Sequence, residues 1–452
     1  MEKFNHRAGF GVWINDLRES NLRLANWPYI VYDDEIDATL RKNIDLMAWA
    51  GYNELCLWGL HSSWSWSENF EREKDIPRLK KINDLISFAH FRGIKILYGL
   101  GVYSWGYDNI IRNNPHLAGT NPNALCGSKE ESFDHVAKII DFIFDTLDVD
   151  GVHLESADLG GCNCEECSKM DQFAYHVNLN IKVAKYIRSK WPDKVIMVNI
   201  ISWQDWQKRL TDPYCSEINN LVELSKHVDY IVDPGHHGHY IPPSARGPII
   251  ERMHCDFGTG GGSRMYYCPT WYKLRTFLPY SHKTYNHLVE LFNSGGRACE
   301  IYMGPLVNPG TEMNTAMQGL ILSNPTESYT SLIERAIEYL YGPYNDSAVN
   351  RLVNIFEGAE AAWNERCNNM AAWPGNIVTE SQEMITIDIN HLQKFMHHDN
   401  WDSYGRALAA LSSDIMDLIP DVRETDKLVR MLEGISNTLL DISQDKEFLR
   451  YK

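Results

Sequence analysis

Short apolar runs alternate with longer stretches whose apolar residues recur every three to four positions, and this rhythm holds over the first 310 or so residues. Short continuous runs read as strands covered on both faces, and a period of about 3.6 reads as amphipathic helix. The first strand is predicted at Gly11–Ile14, followed by a helix over 35–50 with Ile36, Leu40, Ile44 and Met47 on one face. The second is predicted at Glu54–Trp58. Its helix at 77–91 carries Leu79, Ile82, Leu85, Ile86 and Ala89, with Gly93 as the C-cap. Further strands are predicted at Lys95–Gly99, Gly151–Leu154, Val195–Asn199, Tyr230–Val232, Met265–Cys268 and Ala298–Met303. Helices between them are predicted near 132–147, 171–190, 218–226 and 283–294.

Eight strands alternating with helices predict an α/β chain folded as a (β/α)8 TIM barrel. An open doubly wound sheet is the other arrangement, but it usually carries a glycine fingerprint after its first strand. Here that position reads Trp13-Ile14-Asn15-Asp16-Leu17-Arg18. The later run Gly258, Gly260, Gly261 and Gly262 is expected to be a loop ahead of a strand. Beyond it the strand pattern stops. Helices are predicted at 328–341, 346–366, 380–397, 402–418 and 424–446, with Gly342-Pro343 separating the first two. The expected organisation is a barrel over 1–327 and an all-α C-terminal bundle over 328–452, the latter structural or a homo-oligomer interface.

The 452-residue length and 44% hydrophobic content suit a barrel with a helical appendage. A formal net charge of −17 argues against nucleic acid and anionic membranes as partners. No apolar run approaches the roughly 20 residues needed to span a bilayer. Of ten cysteines, Cys56, Cys268 and Cys299 fall inside predicted strands as small apolar groups. That usage, with no apolar signal region near residue 1, predicts a cytoplasmic protein; a secreted chain already stripped of its signal is the other reading.

Barrel active groups follow the strands. That rule selects Asp16, His61, Trp64, Trp66, Tyr103, Trp105, Glu155, Asp158, Asn199, Trp203, Asp233, His236, His237, His239, Trp271 and Tyr272. Glu155 ends the fourth strand and is the expected general acid, because a carboxyl group held against aromatic walls favours its protonated form. Asp158 or Asp233 would be the second carboxyl, although each also sits in a good turn sequence. The tryptophans offer faces on which sugar C–H groups stack. Glu300 lies near the start of its strand, towards the other end, and is expected to be structural.

Cys162, Cys164 and Cys167 supply three close thiols, and Cys126 from the preceding loop could complete a structural zinc site; plain reduced cysteines are the alternative. Carboxylate catalysis needs no cofactor. A metal held by Asp233, His236, His237 and His239 would instead suit a hydrolase or isomerase.

Three segments carry a resemblance. They are Ala124-Leu125-Cys126-Gly127-Ser128, Glu155 followed by Gly160-Gly161-Cys162-Asn163-Cys164-Glu165-Glu166-Cys167, and Gly319-Leu320-Ile321-Leu322-Ser323-Asn324-Pro325 leading to Leu340-Tyr341-Gly342-Pro343. Together they resemble bacterial glycoside hydrolases of the broad β-N-acetylhexosaminidase and α-glucuronidase superfamily. The resemblance implies a barrel with a helical C-terminal region, a carbohydrate substrate and an acidic residue after the fourth strand, which Glu155 matches. It departs at Leu154-Glu155, where the β-N-acetylhexosaminidases carry adjacent Asp-Glu. The expected activity is cleavage of a glycosidic bond in an oligosaccharide or glycoconjugate. A carbohydrate-binding barrel without catalysis is the alternative.

Overall fold

Eight parallel strands close into a barrel in sequence order. The computed structural model describes residues 2–11, 19, 32–60, 65–156, 161–200, 203, 212–233, 241, 243–260, 277, 279–304, 306–367 and 398–443. The barrel begins β1 (His6–Gly11), α1 (Asp34–Ala50), β2 (Glu54–Leu57), α2 (Ile76–Phe91), β3 (Lys95–Gly101), α3 (Asp108–Asn113), α4 (Glu130–Thr146) and β4 (Gly151–Glu155). It continues α5 (Gln172–Lys190), β5 (Val195–Asn199), α6 (Ser216–Leu224), β6 (Tyr230–Asp233), α7 (Pro243–Ile250), β7 (Asp256–Gly260), α8 (Ser281–Asn293), β8 (Ala298–Tyr302) and α9 (Pro309–Ser323). Pairing of β8 with β1, Glu300 opposite Ala8, closes the ring.

Local chemistry sets the helix ends. Asp33 accepts the Ile36 amide at the start of α1, and Gly51 closes that helix in the left-handed region at φ 93°. Asp171 caps α5, and Asn308 with Pro309 opens α9. Leu55, Leu57, Val152 and Leu154 face the helices and join the outer core. The alternate residues enclose a second core of Ala8, Phe10, Cys56, Trp58, Leu97, Met197, Tyr230, Val232 and Ala298. Burial of both faces is why the strands read as continuous apolar runs.

Two strands lie elsewhere than predicted. The first is His6–Gly11, upstream of the expected Gly11–Ile14. Its polar residues hid it: buried Arg7 donates to the carbonyls of Gly51 and Phe4, and His6 stacks on Tyr230 inside the barrel. The seventh is Asp256–Gly260, paired between β6 and β8, so the predicted Met265–Cys268 is not the barrel strand and falls outside the described residues. Gly258 and Gly260, expected in a loop, are strand residues. A side chain at Gly258 would strike the Ala298 carbonyl oxygen, so glycine permits the close approach of β7 to β8.

The helical region comprises α10 (Tyr329–Tyr341), α11 (Asp346–Cys367), α12 (His398–Ala410), α13 (Ser412–Met416) and α14 (Thr425–Ser443). The single helix predicted over 402–418 is broken into α12 and α13, and the one predicted over 380–397 lies outside the described residues. This region is tied to the barrel. Lys427 on α14 pairs with Glu312 on α9 at 2.7 Å, and the Tyr404 hydroxyl donates to the Phe277 carbonyl at 2.8 Å. Glu360 on α11 accepts the His282 and Lys283 amides of α8 at 3.0 and 2.8 Å. No helix among the described residues is long and apolar enough to cross a membrane.

Candidate active site

Alternation along β4 sends Gly151, His153 and Glu155 inward and Val152 and Leu154 outward. The interior is therefore polar along its axis. At the amino end, Glu54 accepts the Tyr230 hydroxyl at 2.7 Å and meets His6 Nδ1 at 2.9 Å. Above it sits Cys56, whose thiol is pushed well up by burial and by Glu300 and Glu54. Next comes a fully buried chain. Trp58 Nε1 donates to His153 Nδ1 at 3.3 Å, His153 Nε2 meets Glu300 Oε2 at 2.8 Å, and Asn199 Nδ2 donates to Glu300 Oε1 at 3.2 Å. Phe10 stacks on the His153 ring with ring centres 4.7 Å apart.

Glu155 caps this column at the carboxyl end of β4 and is 8% exposed. Its register partners are Gly101 on β3 and Asn199 on β5. Trp105 folds back over β3: a Cβ on Gly101 would lie 2.7 Å from the Trp105 Cβ. Trp105 adopts φ 61°, rare outside glycine, and packs half-buried against the barrel-interior core. Glu155 thus lies beside Asn199 and opposite Gly101, the residue over which Trp105 folds back, at the end of the barrel where barrel enzymes place their chemistry.

Other expected mouth residues lie elsewhere. Trp66 is buried against Phe70, Tyr98 and Phe142 in the outer core, so it is a packing residue and not a platform. Trp203 is buried edge-on to Phe173 and stacked on His176 of α5. Tyr103 is buried in the outer core, and its backbone carbonyl accepts the Leu125 amide. Asp233 shares the phase of outward-facing Ile231, and its Oδ2 accepts the Ile241 amide at 2.7 Å, which fixes the end of the loop after β6. Asp16, His61, Trp64, Asp158, His236, His237, His239, Trp271 and Tyr272 lie outside the described residues. Glu300, expected towards the far end, is mid-strand and wholly buried in the interior. His153 and Trp58 do not follow from the sequence reading above, although the polar residues at 153 and 155, two apart within an apolar strand, signal an inward polar face.

Beside the Glu155 strand, four cysteines converge. The Cys126 Sγ lies 3.7, 3.7 and 3.8 Å from those of Cys162, Cys164 and Cys167, and all four sulfurs lie within 4.8 Å of one another. All are free thiols. Gly161, just ahead of the cluster, packs against the Gln172, His176 and Tyr175 side chains of α5. His176 is buried, and desolvation holds its ring down at about 3.

No protein-family model matches the chain, and no curated protein matches it. Solved structures do. An enzyme of glycoside hydrolase family 138 that targets pectin rhamnogalacturonan II aligns over 97% of this chain and 70% of its own, with a TM-score of 0.63 at 11% identity. A variant of the Thermobaculum terrenum O-GlcNAc hydrolase aligns over 100% of this chain and 98% of its own, with a TM-score of 0.51 at 10% identity. The chain therefore shares the barrel fold of glycoside hydrolases, with the helical region included in the likeness.

Proposed function

We propose that the protein is a glycoside hydrolase in which Glu155 is the general acid. One observation carries the reading: a buried carboxyl group at the carboxyl end of β4, facing inward beside Asn199 of β5 and opposite Gly101 of β3, over which Trp105 folds back. Shielding from water favours the neutral, proton-donating form of a carboxyl group. Such a group can protonate the departing glycosidic oxygen while the Trp105 indole covers an apolar sugar face. Two solved glycoside hydrolases share the fold along the whole length of the chain, which supports this class of chemistry over others that barrels perform.

A glycosidase needs a second carboxyl or help from the substrate. We assign that partner to Asp158, three residues beyond Glu155, in preference to Asp233, which has an oxygen engaged by the Ile241 amide. A close pair suits one carboxylate orienting the substrate while the other protonates the leaving group. The substrate is a carbohydrate, and the reaction needs no metal at the carboxylates. The test is a panel of aryl glycosides and natural oligosaccharides assayed with and without chelator, on the wild type and on Glu155→Gln, Asp158→Asn and Asp233→Asn. Sugar binding without turnover across the panel would favour a carbohydrate-binding barrel. Turnover abolished by chelator and unaffected in Glu155→Gln would favour a metal hydrolase built on the His236–His239 loop.

A further inference from the structure

We propose that Cys126, Cys162, Cys164 and Cys167 bind one structural zinc ion that clips together the two loops flanking strand β4. The argument starts from the spacing of the sulfurs. Zinc bonds thiolate sulfur at about 2.3 Å in a tetrahedron, which places any two sulfurs about 3.8 Å apart. The three sulfurs around Cys126 stand at 3.7, 3.7 and 3.8 Å from it. A disulfide would need about 2.05 Å, and unconstrained thiols have no reason to gather four at a time with every pair of sulfurs within 4.8 Å and Cys126 at the tetrahedral edge length from each of the other three. Cys126, Cys162 and Cys167 are buried and Cys164 is partly so.

The surrounding donors fit thiolates. The Cys167 amide donates to the Cys164 sulfur, and the Ser128 amide to the Cys126 sulfur. The Ser128 hydroxyl lies 3.0 Å from the Cys126 sulfur. Backbone amides aimed at sulfur offset the charge that four thiolates leave on a doubly charged ion. Binding breaks the S–H bonds and forms Zn–S bonds, and the thiol protons pass to solvent. Four protein ligands leave no open coordination position, so the ion is structural and the proposal is independent of the glycosidase reading.

Placement gives the ion its role. Cys126 belongs to the segment between α3 and α4, whereas the other three lie in the segment that follows Glu155 of β4. Cys126 and Cys164 are 38 positions apart, so one ion closes a loop containing α4 and β4. The same two loops also meet where the Asn163 amide donates to the Thr120 hydroxyl at 2.8 Å.

Protein purified without a polyhistidine tag from zinc-supplemented culture is analysed by plasma mass spectrometry. The expected result is about one zinc per chain. Titrating the wild type with an organomercurial in the presence of a zinc-sensitive dye should release that zinc as the thiols are blocked. Cobalt reconstitution should give the charge-transfer bands of tetrahedral thiolate cobalt. Cys164→Ser and Cys126→Ser should lose stoichiometric zinc, whereas Cys215→Ser and Cys255→Ser, outside the cluster, should keep it. Cys167→His, which substitutes another zinc ligand, should retain the metal and so separates metal loss from misfolding. Folded wild type free of zinc, iron in its place, or disulfides among these cysteines would each overturn the proposal, whatever the outcome of the glycoside panel.

Discussion

His153 and Glu300 meet at 2.8 Å inside the barrel, with neither side chain exposed to solvent. Trp58 donates to Nδ1 of the ring, so the ring proton resides on Nε2 and the Glu300 carboxylate is the acceptor. Its other oxygen accepts from Asn199, whose register partner is Glu155. Glu300 therefore holds the strand beside the proposed acid from below. Glu300→Ala leaves two buried donors without their acceptor and should destabilise the fold by about 2–5 kcal/mol. Urea denaturation of the two proteins measures the difference.

Glu155→Gln should keep the shape of the site and remove the transferable proton. Turnover should fall by about 10²–10⁴-fold, the usual scale for a positioned acid. Melting temperature should change little. Near-normal turnover in this variant would remove Glu155 from the mechanism.

Two of the tryptophans that follow β2 and β3, Trp66 and Trp105, separate packing from recognition. Trp105→Ala should weaken carbohydrate binding by about 1–3 kcal/mol, since an apolar face is lost at the mouth. Trp66→Ala should instead cost about 3–5 kcal/mol of stability, because the ring fills space between Phe70, Tyr98 and Phe142. Calorimetric sugar titrations and thermal melts on both variants distinguish the roles.

His176 gives a pH dependence of defined sign. Its folded value of about 3 lies below the ordinary 6.5 because burial disfavours the cation. The unfolded chain therefore takes up the proton first, and acid favours unfolding from about pH 6.5 down to about pH 3. The slope this residue contributes approaches about 1.4 kcal/mol per pH unit. His176→Phe preserves an aromatic ring against Trp203 and should flatten stability across that window. Equal slopes in wild type and variant would show that the ring does not titrate in this way.

Strands whose inward and outward residues were both apolar, such as Lys95–Gly101 and Val195–Asn199, stood out in the sequence because burial on both sides leaves a continuous run. The helices did so through their 3.6 period and caps, Asp33 and Gly51 among them. Strand β1 was displaced because His6 and Arg7 satisfy their polar groups through tertiary contacts with Glu54 of β2 and the Gly51 carbonyl that closes α1. Strand β7 was concealed by glycines whose purpose is inter-strand distance. The position of Glu155 at the end of β4 was legible because a carboxylate terminated an apolar run. Trp66 was misread for a related reason: position after a strand does not say which way a loop turns, and this one turns outward onto α4. Convergence of Cys126 with the later three cysteines was legible as a pairing of adjacent loops, but the gathering of all four sulfurs within 4.8 Å emerged only in three dimensions.

The first turn of α8 has no side-chain cap of its own, and Glu360 on α11 reaches across to take two of its amides. On the ribosome, the last barrel strand emerges before that glutamate does. The barrel is therefore fully synthesised, yet one of its helices still has bare amide ends, until dozens of further residues have followed. Completion of the barrel is thus a late event in the life of the nascent chain, and a fragment ending at 327 should fold less firmly than its full set of strands suggests.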